Sequence, residues 1–466
     1  MSKTFGGFHS EWNLGSPGGW DYQRMAQIIG KHAWTRIRGK TDIDIELDFD
    51  DVLLNPVPSF ARLLLRAHER NKGRACRPFI VLLAEEETLD KVGENIHFVE
   101  YLNGLEGVRA ALAAPQELEL RGERVCLRGE ETTAIFADFN NRVILELGET
   151  HEIAAFLAAI RQGLVVNPRG MEPVGVKGVF EAITGEFREL MTESTYRRTP
   201  WTRLFYERAT DGPAGEPIDD LIGWTRANWQ NVILKPVHGY SGHGIIIGIK
   251  EADVDKAIAR ALDSGDYIVQ EFIPPELWTE RFPWVDLEKG TAYIKEWQTD
   301  FRCFVTDQGP IGFVTRFGGI PTNVGSGGGV QSTAVFTGDM PVSEAVERIN
   351  DAIMGIGYDE LAGIQNEMNE LSKKIGNVYL LGPIMNTLRP RLITRGHIGQ
   401  IMEYARNLWK DAVRLEELWL AGKLDRYIRM SPEEEALARS APWQGSIALI
   451  ASDGLFNFGG AIGDQG

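Results

Sequence analysis

The stretch NVILKPVHGYSGHGIIIG, residues 231–248, constrains the fold more than any other. A β-branched run ends in one lysine and a proline. A glycine-rich turn follows, and a second apolar run resumes. Such a pattern reads as strand, loop, strand. Glycine has no Cβ, so the loop backbone can turn tightly and bring N–H groups up to an anion. A lysine at the end of a buried strand carries a compact positive charge into a cleft, which suits a phosphate. The spacing matches neither GxxxxGK[ST] nor a GxGxxG that opens a helix. Taken alone, the segment also reads as a glycine-rich hairpin with an exposed lysine.

The segments that follow add chemistry. YIVQEFI (267–273) ends a strand at Gln270–Glu271, where backbone groups can meet an adenine edge while Phe272 and Ile273 wall the ring. TDFRCFVTDQGPIGFVTRFGG (299–319) puts Asp300 and Arg302 on one strand face and Arg316 on the returning strand after a turn at Asp307–Pro310. Two arginines facing a cleft suit phosphate or carboxylate recognition. TNVGSGGGVQST then supplies a second glycine-rich segment.

The chain has 466 residues, which predicts two or three domains. Its formal charge is −17, from 49 basic and 66 acidic residues, which argues against a surface made for nucleic-acid backbone or anionic membrane. Cys76, Cys126 and Cys303 are far apart, with neither disulfide-framework nor zinc spacing. The N-terminal MSKTFGGFHSEWN lacks a basic-then-apolar leader pattern, and no run of about 18 apolar residues occurs, so the expected location is cytoplasmic.

Residues 1–165 alternate strand and helix patterns and predict an N-terminal α/β domain. In it TDIDIELDF (41–49) reads as a strand, PSFARLLLRAHER as a helix and RPFIVLLAEEE as a buried parallel strand. Residues 166–335 are rich in strands and turns. Residues 336–466 predict a mostly helical extension ending in a hairpin at the Asp-Gly of SIALIASDGLFNFGG.

VILKPVHGYSGHGIIIG, YIVQEF, DFRCFVTDQGPIGFVTRFGG and NVGSGGG, in this order, resemble the ATP-grasp superfamily of ligases. GLVVNPRGMEPVGVKGVFEAITG further resembles the glutathione synthetase-like, circularly permuted branch. The resemblance implies an ATP-grasp fold of α+β lobes with an N-terminal substrate lobe. It implies ATP and Mg²⁺, and a small-molecule carboxylate, an amino acid or peptide, joined to an amine through an acylphosphate. On this resemblance Lys177, Lys235, Ser241, Gly242, Gly244, Gln270, Glu271, Phe272 and Ile273 hold the nucleotide, and Arg302 and Arg316 act on the transferring phosphoryl group.

The resemblance is closest over 170–335, looser over 40–165 and absent over 336–466. No Glu-x-Asn strand follows the arginine strands. In the permuted arrangement Glu46-x-Asp48 takes the metal; the competing ligands are Glu367 and Asn369, or Asp453 and Asn457. Two other functions stay open, an ATP-binding scaffold without chemistry and a phosphotransferase on the same fold. A homodimer also stays open.

Overall fold

In the computed structural model, which describes residues 6–73, 76–239, 244–379 and 382–463, strand β1 (Gly6–Asn13) leads into helix α1 (Trp20–Arg38). Met25, Ala26, Ile29, Ala33 and Ile37 recur at helical spacing and are buried, while Arg36 and Arg38 suit the negative end of the helix dipole. The segment 41–49 departs from the expected strand. Only Leu47–Asp48 pairs, against Phe336 and Val335, and Asp42, Asp44 and Glu46 face solvent. Alternating carboxylates have no partner strand here that repays ordering them.

Helix α2 (Val57–Lys72) precedes β2 (Phe79–Leu83), helix α3 (Gly93–Asn103), β3 (Arg109–Ala113), β4 (Ala134–Ala137) and β5 (Val165–Val166). These strands form a parallel sheet in the order β3–β2–β4–β5. β2 is buried at every position, as its uninterrupted apolar run requires of a strand covered on both faces.

A second sheet is antiparallel. It contains β6 (Thr202–Leu204), β7 (Val232–Pro236), β8 (Ile246–Ile247) and β9 (Tyr267–Glu271), in the order β6–β9–β7–β8, backed by helix α4 (Val254–Ser264). The strand-loop-strand reading of 231–248 holds in β7 and β8.

The third and largest sheet is assembled from distant segments. Strands β10 (Thr279–Asp286), β11 (Thr291–Thr306), β12 (Gly309–Gly318) and β13 (Gly329–Gln331) follow one another. Helix α5 (Arg395–Leu420) and β14 (Ile450–Asn457) close the chain's path, and the order is β1–β14–β11–β12–β13, with β10 on β11. The expected Asp-Gly hairpin is absent. Asp453 and Gly454 lie within one continuous strand because β14 is hydrogen-bonded on both edges, to β1 and to β11. Two ladders outweigh the turn preference of one dipeptide. The largest core packs Met171, Val174 and Phe180 with Ile401, Tyr404, Leu408, Leu415 and Trp419 of α5. Among the described residues no helix is long and apolar enough to cross a membrane.

Behind the large sheet lies a buried ionic cluster. Glu280 lies 2.9 Å from Arg389 and 3.0 Å from Arg391, and all three are almost fully buried. Arg391 also donates to Phe456 O at 2.7 Å and Asp300 O at 3.1 Å, so it ties β10, β11 and β14 together. Burial pushes the Glu280 carboxyl up, but Arg391 and Arg389 outweigh it and hold the group below its ordinary range. Glu280→Gln leaves two buried guanidinium groups without their counter-charge and is expected to cost about 3–5 kcal/mol in urea unfolding at neutral pH. A lowered carboxyl stabilises only while ionised, so the difference from wild type shrinks as pH falls below about 4.5.

Candidate active site

The antiparallel β6–β9–β7–β8 sheet and the large sheet meet around two lysines. Lys235, near the end of β7, is 7% exposed. Its Nζ donates to Gln270 Oε1 of β9 at 2.8 Å and to Ser10 O of β1 at 3.3 Å. Gln270 is fixed in turn by donating from Nε2 to Thr202 Oγ1 at 2.9 Å. Lys177 Nζ donates to Gly239 O at 2.8 Å and pairs with Glu11 Oε1 at 2.8 Å. Its neighbour Gly178 is required by close approach, since a Cβ there would meet Tyr427 O at 2.0 Å.

The face of the large sheet carries the rest. Glu11 of β1 stands opposite Asp453 of β14, and Asp453 stands opposite Arg302 of β11. Arg302 Nε and Nη2 donate to the two Asp453 oxygens at 2.5 and 2.6 Å. Arg316 of β12 donates to both Asp300 oxygens at 2.8 and 2.7 Å and to Asp453 Oδ2 at 2.9 Å. Thr322 Oγ1 donates to Asp300 Oδ2 at 2.6 Å. Burial opposes ionisation of Asp453, yet Arg302 and Arg316 hold its carboxyl far below the usual carboxylate range. Burial likewise opposes the charge of Arg316, and Asp300 and Asp453 overcome it. The cluster sets four cations, Lys177, Lys235, Arg302 and Arg316, against three carboxylates, Glu11, Asp300 and Asp453. Its balance is positive inside a chain of net charge −17.

The structure thus brings together Lys177, Lys235, Gln270, Arg302 and Arg316. Glu271 ends β9 and is half-buried, and burial raises its carboxyl. Phe272 N donates to Asn231 O at 2.8 Å, and Ile273 O accepts from Trp278 Nε1 at 3.2 Å, so these two residues extend the same edge. Gly244 closes the turn with φ near +75°, and its carbonyl accepts from the Tyr267 hydroxyl at 2.9 Å. Ser241 and Gly242 lie outside the described residues.

The residues expected to hold metal sit elsewhere. Glu46 is exposed, and Asp48 pairs with Arg395 at 2.9 Å. Glu367 pairs with His32 and Arg36 on a helix surface. None of these partners belongs to the lysine–arginine cluster. Glu11 and Asn13 of β1 lie there instead and are absent from the sequence-level candidates. Their signal was Glu-x-Asn at 11–13, in a segment read only for a leader. Asp453 was legible only as one of the competing ligands.

Glu11 and Asp453 stand directly opposite on antiparallel strands, Glu11 held by Lys177 and Asp453 by Arg302 and Arg316, so two carboxylates lie side by side on one face. Asn13 lies two residues along from Glu11, and its Nδ2 is a buried donor with no partner among the described residues, which suits a phosphate oxygen. The Glu11 and Asp453 carboxylates are hard oxygen donors that fit Mg²⁺, which uses one or two carboxylates and takes further oxygens from phosphates. Among the described residues no group of three or more His, Cys, Asp or Glu side chains is placed to hold a metal by itself.

No family model matches the chain, and no curated protein matches it. Solved structures do. The chain is similar to D-alanyl-alanine synthetase A from Vibrio cholerae at 10% identity, over 48% of this chain and 67% of that one, with a TM-score of 0.26. It is similar to a RimK domain protein ATP-grasp from Sphaerobacter thermophilus at 15% identity, over 71% of this chain and 97% of that one, with a TM-score of 0.30. Overlays this loose carry no argument, and the functional reading rests on the side chains.

Burial, and then the nearby Lys177, push the Lys235 ammonium down to about 8, although Glu11 and Asp453 favour its charge. Between pH 8 and the ordinary lysine value of 10.5 the unfolded chain therefore binds a proton that the folded chain has released. Stability gains with pH across that window. Urea unfolding should show wild type rising relative to Lys235→Met from pH 8 to 10, with no such divergence between pH 6 and 7.

Proposed function

We propose that this chain is an ATP-dependent carboxylate–amine ligase of the ATP-grasp kind, acting on small molecules in the cytoplasm. The observation that carries the reading is the convergence of Lys177 and Lys235 with a sheet face bearing Glu11, Asn13, Asp453, Arg302 and Arg316. A triphosphate needs both parts, cations for its oxygens and carboxylates for its metal.

In this reading Lys177 and Lys235 neutralise the nucleotide phosphates, and the turn ending at Gly244 covers them. Gln270 holds Lys235 in place, while Glu271, Phe272 and Ile273 border the adenine. Glu11, Asn13 and Asp453 would hold Mg²⁺, which would supply charge neutralisation for the phosphates. Arg302 and Arg316 hold the phosphoryl group as it passes to the substrate carboxylate. An amine then attacks the acylphosphate carbonyl, a C–N bond forms, the C–O bond to phosphorus breaks, and phosphate leaves. No protein nucleophile is required; positioning and charge stabilisation carry the rate. A scaffold without chemistry would have no need of a further metal carboxylate beside the arginines. Glu11 opposite Asp453 supplies one, which favours an active enzyme.

Titration calorimetry should detect ATP or ADP binding with Mg²⁺ present; none under any metal condition ends the reading. Lys235→Ala should lose more turnover than Lys235→Arg, and both at least tenfold, because a guanidinium is too wide for a slot built around one ammonium.

Glu11→Gln should raise the Mg²⁺ concentration for half-maximal activity several-fold, with Mn²⁺ restoring part of the rate. Glu46→Gln in parallel should leave it unchanged. The opposite pattern moves the metal to the segment 41–49.

A further inference from the structure

Strand β1 falls out of step with β14 at one residue. His9 stands opposite Gly454 and Glu11 opposite Asp453, so Ser10 is an extra residue with no partner in the register. In a regular strand His9 and Glu11, two residues apart, would point to the same face. Here the bulge sends them to opposite faces, because Asp453 and Gly454 are neighbours on β14. Glu11 joins Asp453 on the face that carries Arg302. His9 turns the other way, into the core, where its ring lies 5.2 Å from that of Trp12 and 5.4 Å from that of Phe180.

Three segments hold His9, which is fully buried. Its Nε2 lies 2.5 Å from Thr199 Oγ1, and its Nδ1 lies 3.3 Å from the Tyr404 hydroxyl of α5. The neighbours fix the order of the protons. The Thr199 hydroxyl donates to Thr195 O at 2.8 Å, so its oxygen accepts from His9 Nε2–H. His9 Nδ1 then accepts from the Tyr404 hydroxyl, and the Tyr404 oxygen accepts from Ser452 Oγ of β14 at 2.6 Å. This order needs a neutral imidazole. Burial, with Arg198 adding to it, holds the His9 pKa down to about 3.

The same contacts close on the lysine. Thr199 is followed, three residues on, by Thr202, whose hydroxyl accepts from Gln270 Nε2 at 2.9 Å. Gln270 Oε1 accepts from Lys235 Nζ at 2.8 Å, and Lys235 Nζ donates to Ser10 O at 3.3 Å. Ser10 follows His9, so the ring is complete. The next residue, Glu11, pairs with Lys177 at 2.8 Å. Lys235 and Lys177 therefore both take a contact from the two residues that follow His9. An imidazole in an apolar core is desolvated for no gain in packing. Its partners make sense through the strand that they hold.

We propose that His9 is a positioning residue for the nucleotide site: clamped between Thr199 and Tyr404, it fixes the bulge at Ser10, which sets Ser10 O against Lys235 and Glu11 against Lys177. The proposal rests on the ligase reading for its ligand and on these contacts for its geometry. It also gives the C-terminal segment 336–466 a task at the site, since Tyr404 and Ser452 both belong to it.

The test titrates ATP with Mg²⁺ into the full chain by calorimetry, at a temperature where circular dichroism shows each variant folded. His9→Phe fills the space without hydrogen bonds and should weaken binding about tenfold, and Tyr404→Phe, which keeps its ring, at least about threefold. His9→Gln keeps a donor for Thr199 and should fall between His9→Phe and wild type. His9→Phe with Tyr404→Phe should bind no more weakly than His9→Phe alone, because both act through one contact. The control is Leu408→Ala, which opens a cavity in the same core away from the ring and should lose stability but keep wild-type affinity. Should His9→Phe fail to fold, Tyr404→Phe against Leu408→Ala decides. Wild-type affinity in Tyr404→Phe, or an equal loss in Leu408→Ala, overturns the positioning role and leaves the ligase reading standing. A wild-type chain that binds no ATP removes the ligase reading and this role with it.

Discussion

The Asp453 carboxylate is the contact on which the site depends. It takes Arg302 from β11 and Arg316 from β12, and its strand places it opposite Glu11 of β1. One side chain thus joins segments from the start, the middle and the end of the sequence. Buried pairs of this kind repay their desolvation poorly, and an apolar sheet face of similar volume would hold the strands at least as well. The charges therefore make sense chiefly through what they meet. A face with arginines on one side of a carboxylate and a second carboxylate on the other side can oppose both a phosphate and the metal that neutralises it.

The large sheet explains why this face is built from remote pieces. β14 must be central, because β1 and β11 each saturate one of its edges. α5 packs with the segment 171–180 in the same core that receives Phe456 of β14, and so carries the chain back to the sheet. The Glu280–Arg389–Arg391 cluster fixes β10, β11 and β14 from behind. The last strand is a structural necessity for the middle ones, and the helices before it are its support.

Local signals were readable where one segment held the whole answer. The strand-loop-strand around Lys235, the hairpin bearing Arg302 and Arg316, and the buried parallel strand at 79–83 all depend on short-range pattern. The carboxylates proposed to hold metal were not readable in the same way. Glu46-x-Asp48 and Glu11-x-Asn13 offer nearly the same spacing in alternating segments, and only pairing partners separate them. Glu11 faces Asp453, whereas Asp48 faces Val335. The Asp-Gly of β14 was misleading for a related reason. A dipeptide's turn preference is a local quantity, and two flanking strands are not.

Each side of the Gly18–Gly19 bridge, which Arg302 grips at Gly18 O and Glu94 at Gly19 N, holds a buried polar group that the described residues leave unpaired. On the Arg302 side, burial and then Lys177 depress Lys235, and Asn13 Nδ2 is a buried donor with no partner among the described residues. On the Glu94 side, the Tyr22 hydroxyl is buried with no hydrogen-bond partner among the described residues. A sequence selected for stability alone would remove such conflicts, since each costs free energy and none fixes the fold. In the proposed function a phosphate would meet the lysines and the Asn13 amide, and a metal would meet the Glu11 and Asp453 carboxylates.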